Sequence, residues 1–304
     1  MSADDDRKTL RQRLGRTGIW MPPPGRLGLD AAAIAAGIER AGFGSVWVGG
    51  GNTEGDAFVR LEPFLGATER LIVATGIANI WARTPAAMRD RAAILAARFP
   101  GRFVLGLGVS HATLVEQLGR SYERPLEAMR RYLDELEHPA GHPEAETPPV
   151  VLAALGPKML ELARDHADGA HPYLTTPEHT EFARSVLGPA PLLAPEQAVV
   201  LSSERAEGLA AGRAYVARYL RLPNYVANLA RFGFGPEDVA GGGSDRLVEA
   251  IIPHGPGQVA ARVRAHLDAG ADHVVIQPLG ADGGFSAGQI EALAVAVAEV
   301  RDPA

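Results

Sequence analysis

Apolar and polar positions follow two rhythms along almost the whole chain. Short, nearly unbroken apolar runs alternate with longer stretches in which apolar residues recur three and four apart. The first predicted strand is 15–21, closed by Pro22, Pro23, Pro24 and Gly25. A helix follows with Asp30 as its N-cap and Ala31, Ile34, Ile38 and Ala41 on one face, stopping at Gly42. The second strand is 45–48. Next come a helix near 56–67, a strand at 71–77, a helix over 85–99 that opens on a proline, and a strand at 102–107. Helical pattern over 113–137, a strand at 150–153, a helix at 157–167, a strand at 169–174 and a helix at 177–187 continue the series. Residues 198–201 and 273–277 complete it as the seventh and eighth strands.

Eight apolar strands, each followed by a helix, predict an α/β fold closed as a (β/α)₈ barrel, one domain over 1–304. Residues 1–13 read as a flexible N-terminal extension. The stretch 202–254, between strand seven and a helix at 256–269, reads as an inserted lid or binding loop, because so long a connection is seldom filler. A doubly wound sheet in two domains shares the local alternation. It is the weaker fit, since no linker divides the chain and the first strand lacks G-x-G-x-x-G.

Composition narrows the function classes. The 304 residues are 46% hydrophobic and 22% charged, within the globular range, and the net charge of −6 offers no basic surface for nucleic acid. With no cysteine, thiolate catalysis and Cys-ligated metals are excluded. No apolar run suits a signal peptide or a membrane span, so a soluble cytoplasmic protein is the expectation.

A barrel presents its site at the C-terminal strand ends. Those ends carry Trp20, Gly49–Asn52, Gly76–Trp81, Gly108–His111, Ala154–Lys158, His171–Tyr173, Ser202 and Gln277. They are rich in glycine, aromatic rings and uncharged polar groups and nearly free of acids, which leaves little for carboxylate-pair or magnesium chemistry. Such a lining suits a planar heterocycle with a phosphate tail. Leu155, Gly156, Pro157 and Lys158 can form a phosphate-binding turn at a helix N-terminus, although a plain strand-to-helix turn has the same residues. Trp20 and Trp81 fit either mouth packing or contact with a flat ring.

Of nine histidines, His166, His179 and His266 fall in predicted helices, His273 opens a strand at the closed end, and His138 and His142 sit in a proline-rich loop. His111, His171 and His254 lie at or after strand ends, the position proton transfer requires. No metal-ligand spacing links them.

The runs TGIANIWARTP (75–85), GRFVLGLGVSH (101–111), YERPL (122–126), AALGPKM (153–159) and ADGAHPY (167–173) resemble the luciferase-like flavin and deazaflavin oxidoreductases. The likeness extends over roughly residues 14–300 and is nearest to an actinobacterial branch dependent on coenzyme F-420. The resemblance implies a third strand ending in a bulge with a cis peptide between Gly76 and Ile77, below the cofactor's central ring. It also implies a phosphate held at Leu155–Lys158 and a cofactor tail passing Gly108–His111. Strand ends and resemblance together make Trp20, Gly76, Ile77, Asn79, Gly108, Val109, Ser110, Ala154, Leu155, Gly156, Pro157 and Lys158 the candidate cofactor contacts. His111 and His171 are the candidate catalytic residues, and no metal is expected. The chain departs from the family after strand two, where Gly49, Gly50, Gly51 and Asn52 offer no acid or histidine.

The resemblance implies hydride transfer between a deazaflavin and a small, fairly apolar organic substrate. Its alternatives are an FMN-dependent monooxygenase served by a partner flavin reductase, and a non-catalytic deazaflavin-binding protein. A homodimer is implied by the family alone, and neither nucleic acid nor membrane is an expected partner. Tyr225, Asn228, Phe232 and Phe234 of the insertion suit lid contacts, packing or a dimer contact equally.

Overall fold

The computed structural model describes residues 3–26, 28–50, 58–137, 148–280 and 285–301. His138, His142, Gly51, Asn52 and the start of the helix expected near 56–67 lie outside them. In chain order the strands are β1 (Thr17–Met21), β2 (Ser45–Val48), β3 (Ile72–Thr75), β4 (Ala78–Asn79), β5 (Phe103–Gly108), β6 (Val150–Leu152), β7 (Gly169–Ala170), β8 (Leu192–Leu193), β9 (Glu196–Val199) and β10 (Val274–Pro278). The helices are α1 (Ala3–Leu14), α2 (Ala31–Arg40), α3 (Glu62–Gly66), α4 (Pro85–Arg98), α5 (Ala112–Glu116), α6 (Pro125–Glu137), α7 (Pro157–His166), α8 (Pro177–Leu187), α9 (Arg205–Tyr219), α10 (Pro223–Arg231), α11 (Pro236–Val239), α12 (Asp245–Ile251), α13 (Pro256–Asp268), α14 (Ala287–Ala296) and α15 (Ala298–Arg301).

Every ladder is parallel, and the strands run β8-β7-β6-β5-β3-β2-β1-β10-β9. The two ends of that path, β8 and β9, are halves of one barrel strand separated by Ala194 and Pro195. Ala194 N–H donates to Ala170 O at 2.9 Å while Pro195 O accepts from Val275 N–H at 2.9 Å, so the sheet returns on itself as the expected barrel. Side chains alternate between lumen and helices, as the pleat requires. Trp47, Ile72, Ala74, Val104, Val151 and Val275 fill the lumen, while Val46, Val73, Phe103, Leu105, Val274 and Ile276 face the helical ring.

Local chemistry sets the helix starts. Asp30 accepts from Ala32 N–H at 3.0 Å and Thr84 from Ala87 N–H at 3.3 Å, each satisfying an amide that has no intrahelical acceptor. Gly42 adopts φ +86°, a conformation that ends α2 without a side-chain clash.

Four expectations need correction. Of the extension expected over 1–13, residues 3–13 are not loose, because α1 covers the N-terminal end of the barrel. Leu10 and Leu14 join the lumen cluster, and Arg11 donates to the carbonyls of Pro189, Ala190 and Pro191 at 2.6–2.9 Å. The seventh strand begins at Leu192 rather than 198, since Pro195 interrupts the ladder and disguises the strand as a loop. The sixth is regular only over Gly169–Ala170, since Pro172 has no N–H to offer, although Pro172 O still accepts Glu196 N–H at 2.8 Å. The insertion is not an irregular loop. It folds as α9 to α12 around its own core of Tyr215, Val216, Tyr225, Leu229, Leu247 and Ile251.

Candidate functional site

The site begins where β3 breaks. The Gly76–Ile77 peptide is cis, as the family resemblance implied, and β4 resumes beyond it against β5. Trp20 fixes this bulge, its indole N–H donating to Gly76 O at 3.1 Å. A Cβ on Gly49 would stand 2.5 Å from the Trp20 ring and one on Gly76 2.8 Å from its Nε1, so two glycines make the slot the indole fills. Asn79 accepts from Trp81 N–H at 3.0 Å through Oδ1. Its Nδ2, fully buried, has no partner among the described residues and remains a donor for whatever lies against the bulge.

Gly106 and Gly108 face the lumen, but the space beside them belongs to the protein itself. A Cβ on Gly106 would meet Thr75 O at 2.0 Å, and one on Gly108 would meet Ile77 Cδ1 at 2.6 Å. Ile77 covers the bare Cα of Gly108 and forms the surface there. Above it the fourth barrel strand ends in Val109, Ser110 and His111. Trp81 Nε1 donates to Val109 O at 2.9 Å and Tyr122 Oη to Ser110 O at 3.4 Å. Ser110 has φ +58°, a left-handed conformation costing a non-glycine residue roughly 1 kcal/mol, of the kind that gathers at ligand sites. His111 is half-buried, 5.7 Å ring to ring from Tyr225, and desolvation lowers its pKa below the usual 6.5. Neutral imidazole is therefore its form at pH 7.

The second feature is the turn Ala154, Leu155, Gly156, Pro157, Lys158. Gly156 caps α7 and Pro157 occupies its first turn, so the free amides of a ten-residue helix open there. His179, buried on α8, holds Leu155 O through Nε2 at 2.9 Å. The atom nearest to a Cβ built on Gly156 is Arg231 Nη1 at 3.3 Å. A guanidinium from α10 thus reaches a helix N-terminus whose first turn carries Lys158, a charge set that fits a phosphate. Arg231 escaped the sequence reading because nothing local ties α10 to this turn.

His171 does not join His111 at the mouth. It lies wholly inside the barrel, stacked on Trp47 at 4.3 Å, with Nδ1 bonded to Ala194 O at 2.6 Å and a pKa pushed down by burial to about 4. His254 is buried beside α9, where a Cβ on Gly208 would touch it.

The insertion supplies the opposite wall. Tyr215 and Tyr219, one turn apart on α9, meet Tyr173 and Gln277. Tyr215 Oη lies 2.5 Å and Tyr219 Oη 3.0 Å from Tyr173 Oη, and Gln277 Oε1 accepts from Tyr173 at 2.9 Å. Tyr173 in turn packs 5.6 Å from Trp20. The four-residue spacing of Tyr215 and Tyr219 was the available sequence signal for this face. Among the described residues no cluster of His, Asp and Glu forms a metal site, and no helix is long and apolar enough to cross a membrane.

The sequence profile of the luciferase-like monooxygenase family matches residues 25–186. A protein of Mycobacterium tuberculosis named as a coenzyme F-420-dependent oxidoreductase is 28% identical over 195 residues, 53% of this chain and 54% of that protein. The chain thus spans about half the length of the curated relatives it matches. Among solved structures, the F-420-dependent tetrahydromethanopterin reductase of Methanopyrus kandleri superposes with a TM-score of 0.77 at 18% identity, over 95% of this chain and 99% of that one. An FMN-containing type II Baeyer–Villiger monooxygenase of Pseudomonas putida gives 0.70 at 15%, over 94% and 98%. At such identities the structures establish a shared fold.

Proposed function

The chain belongs to the luciferase-like monooxygenase family, and within it we propose an F-420-dependent oxidoreductase that exchanges a hydride with a small, fairly apolar organic substrate. The observation that carries the deazaflavin is the sequence likeness to a relative named as F-420 dependent; the FMN-containing neighbour shares the fold alone. The lining is compatible with that cofactor. Lys158, Arg231 and the first amides of α7 would hold its phosphate, and Trp20, Ile77, Asn79, Val109 and Ser110 would bound its ring system. When bound, a deazaflavin supplies a hydride donor or acceptor at ring carbon C5.

The chain's own residues do the rest. The aromatic wall of Tyr173, Tyr219 and Tyr225 excludes water, which strengthens every polar contact inside. His111, neutral at pH 7, hydrogen-bonds the reacting oxygen or nitrogen of the substrate and orients it. His111→Gln is therefore expected to lower kcat/KM by roughly 10²-fold with cofactor affinity unchanged. Steady-state kinetics beside a cofactor titration check both halves of that statement.

An absorbance titration with F-420 and FMN in parallel tests the reading itself. F-420 is expected to bind, and Arg231→Ala to weaken it about tenfold, the value of one charge-assisted phosphate contact. Tight FMN binding with no F-420 binding would overturn the proposal in favour of a monooxygenase supplied by a reductase, the second reading that the FMN-containing neighbour favours. Binding of F-420 without turnover of any alkene, imine or carbonyl compound would leave a carrier or sensor.

A further inference from the structure

The strand ends appeared nearly free of acids, yet β9 places one beneath the mouth. Glu196 is 1% exposed and faces the lumen, since its neighbour Gln197 points outward to His266 and Ile251 O. Its Oε2 accepts Leu174 N–H at 3.2 Å, while Oε1, fully buried, has no hydrogen-bond partner among the described residues. Among the described residues no lysine or arginine pairs with it. The titratable groups on which it acts among the described residues are phenols: Tyr173 beyond β7, Tyr215 and Tyr219 on α9, and Tyr225 on α10. Tyr215 is the phenol that acts on the carboxyl; its hydroxyl is not hydrogen-bonded to it at rest but donates to Gln277 Oε1 at 3.0 Å and lies 2.5 Å from the Tyr173 hydroxyl, and the Tyr173 ring rests against Trp20, which holds the bulge.

We propose that Glu196 is the proton store of this site: its unpartnered Oε1 turns to the Tyr215 hydroxyl, which hands the proton on to the Tyr173 hydroxyl at the cleft wall. Tyr173 is then the catalytic donor and Glu196 a positioning residue that acts through it. The inference rests on the hydride-transfer reading. There the substrate gains a hydride at carbon from the reduced cofactor as the π-bond to its heteroatom breaks. The heteroatom takes the Tyr173 proton, Tyr173 is refilled from Tyr215 and Tyr215 from Glu196, which is left as a carboxylate. Oxidation of the product reverses each step. A neutral His111 has no surplus proton to give, so the site needs such a store.

Burial pushes the Glu196 carboxyl up to about 8, so it holds its proton at neutral pH. Turnover is expected to fall as pH rises through that value. Infrared spectroscopy of the cofactor-free protein is expected to show a protonated-carboxyl band at pH 7 that Glu196→Gln removes and whose pH midpoint Tyr215→Phe shifts. In the loaded enzyme, Glu196→Gln is expected to lower kcat by roughly 10²-fold, to leave KM within about threefold and to abolish the basic limb of the pH profile. Should Glu196→Gln not fold, Tyr215→Phe carries both readouts. Absence of the band at pH 7 overturns the proposal, as do wild-type rates and pH profiles in both variants. The band is read without cofactor, so a failed F-420 titration sinks the choice of cofactor and leaves the infrared result standing on its own.

Discussion

Gly106→Ala is expected to destabilise the barrel by about 3–5 kcal/mol and to abolish cofactor binding in whatever fraction remains folded. A methyl at this position would sit 2.0 Å from Thr75 O, and the obstacle is backbone rather than the end of a flexible side chain. Thr75 has little room to retreat, for it is laddered to Val48 on one side and its Oγ1 donates to Gly106 O at 2.8 Å on the other. Relief must come from shifting Thr75 and the Gly76–Ile77 peptide behind it, which forms the floor of the candidate cleft. Gly37→Ala is the matched control. In mid-α2 its Cβ would meet only Arg40 Nη2 at 4.0 Å, so the usual helical preference for alanine should add about 0.5–1 kcal/mol. Denaturant unfolding of the two variants checks the pair. A Gly106→Ala protein as stable as the parent would contradict the packing of the bulge on the fourth barrel strand.

Acid is expected to unfold the protein between about pH 6.5 and pH 4. His171, His179 and His273 are buried with pKa values pushed down by desolvation to about 4, and His266 to about 3. Their hydrogen bonds suit neutral rings. His273 is bonded through Nδ1 to Gly15 O at 2.9 Å and through Nε2 to the Ser45 hydroxyl at 2.7 Å. His266 likewise lies between Thr180 Oγ1 at 2.8 Å and Gln197 Oε1 at 2.9 Å. A base whose folded pKa lies below its unfolded value near 6.5 stabilises fully above that value. As pH falls the unfolded chain takes up the proton first, and stability is lost down to the folded pKa. Each group represents roughly 3 kcal/mol, and four of them together rival the roughly 5–15 kcal/mol that holds a domain folded. Glu196 acts in the opposite sense, its contribution fully present below about pH 4 and lost as pH rises through about 8. Stability should therefore peak near neutrality. Circular dichroism melts from pH 8 to 4 at constant ionic strength test this, and a melting temperature that does not move between pH 7 and 4.5 would refute it.

Much of the framework is legible in local pattern. Ser45–Val48 is readable because all four residues are buried in the closed parallel sheet, so periodicity collapses into a short apolar run. Asp30, Thr84, Pro85, Gly156 and Pro157 mark their helix starts through chemistry internal to a few residues. The seventh strand is not legible, because the run from Gly188 to Pro195 carries three prolines and looks like a turn, although Leu192 and Leu193 are sealed inside. Glu196 goes unnoticed in the sequence for the same reason, since an acid next to a proline resembles exposed loop until the barrel closes around it. The helical insertion hides behind its glycine-rich segment 240–244, and its meaning resides in contacts with strands far away in sequence.

For the candidate site the division is similar. Trp20, Gly76, Ile77, Asn79, Ser110, His111 and the Leu155–Lys158 turn sit at strand ends, and a strand end follows from where an apolar run stops. Which of these groups face one another does not. Only the closed barrel sets Trp20 into the Gly49 and Gly76 slot, withdraws His171 onto Trp47 and lays Ile77 over Gly108. Only the docking of α9 and α10 brings Tyr215, Tyr219 and Arg231 to Tyr173, Glu196 and Gly156. Elements and their caps depend on residues within a turn or two of one another, so a linear pattern specifies them. The electrostatics of the cleft depend on burial and on partners from opposite sides of the barrel, and these exist only after the chain has closed.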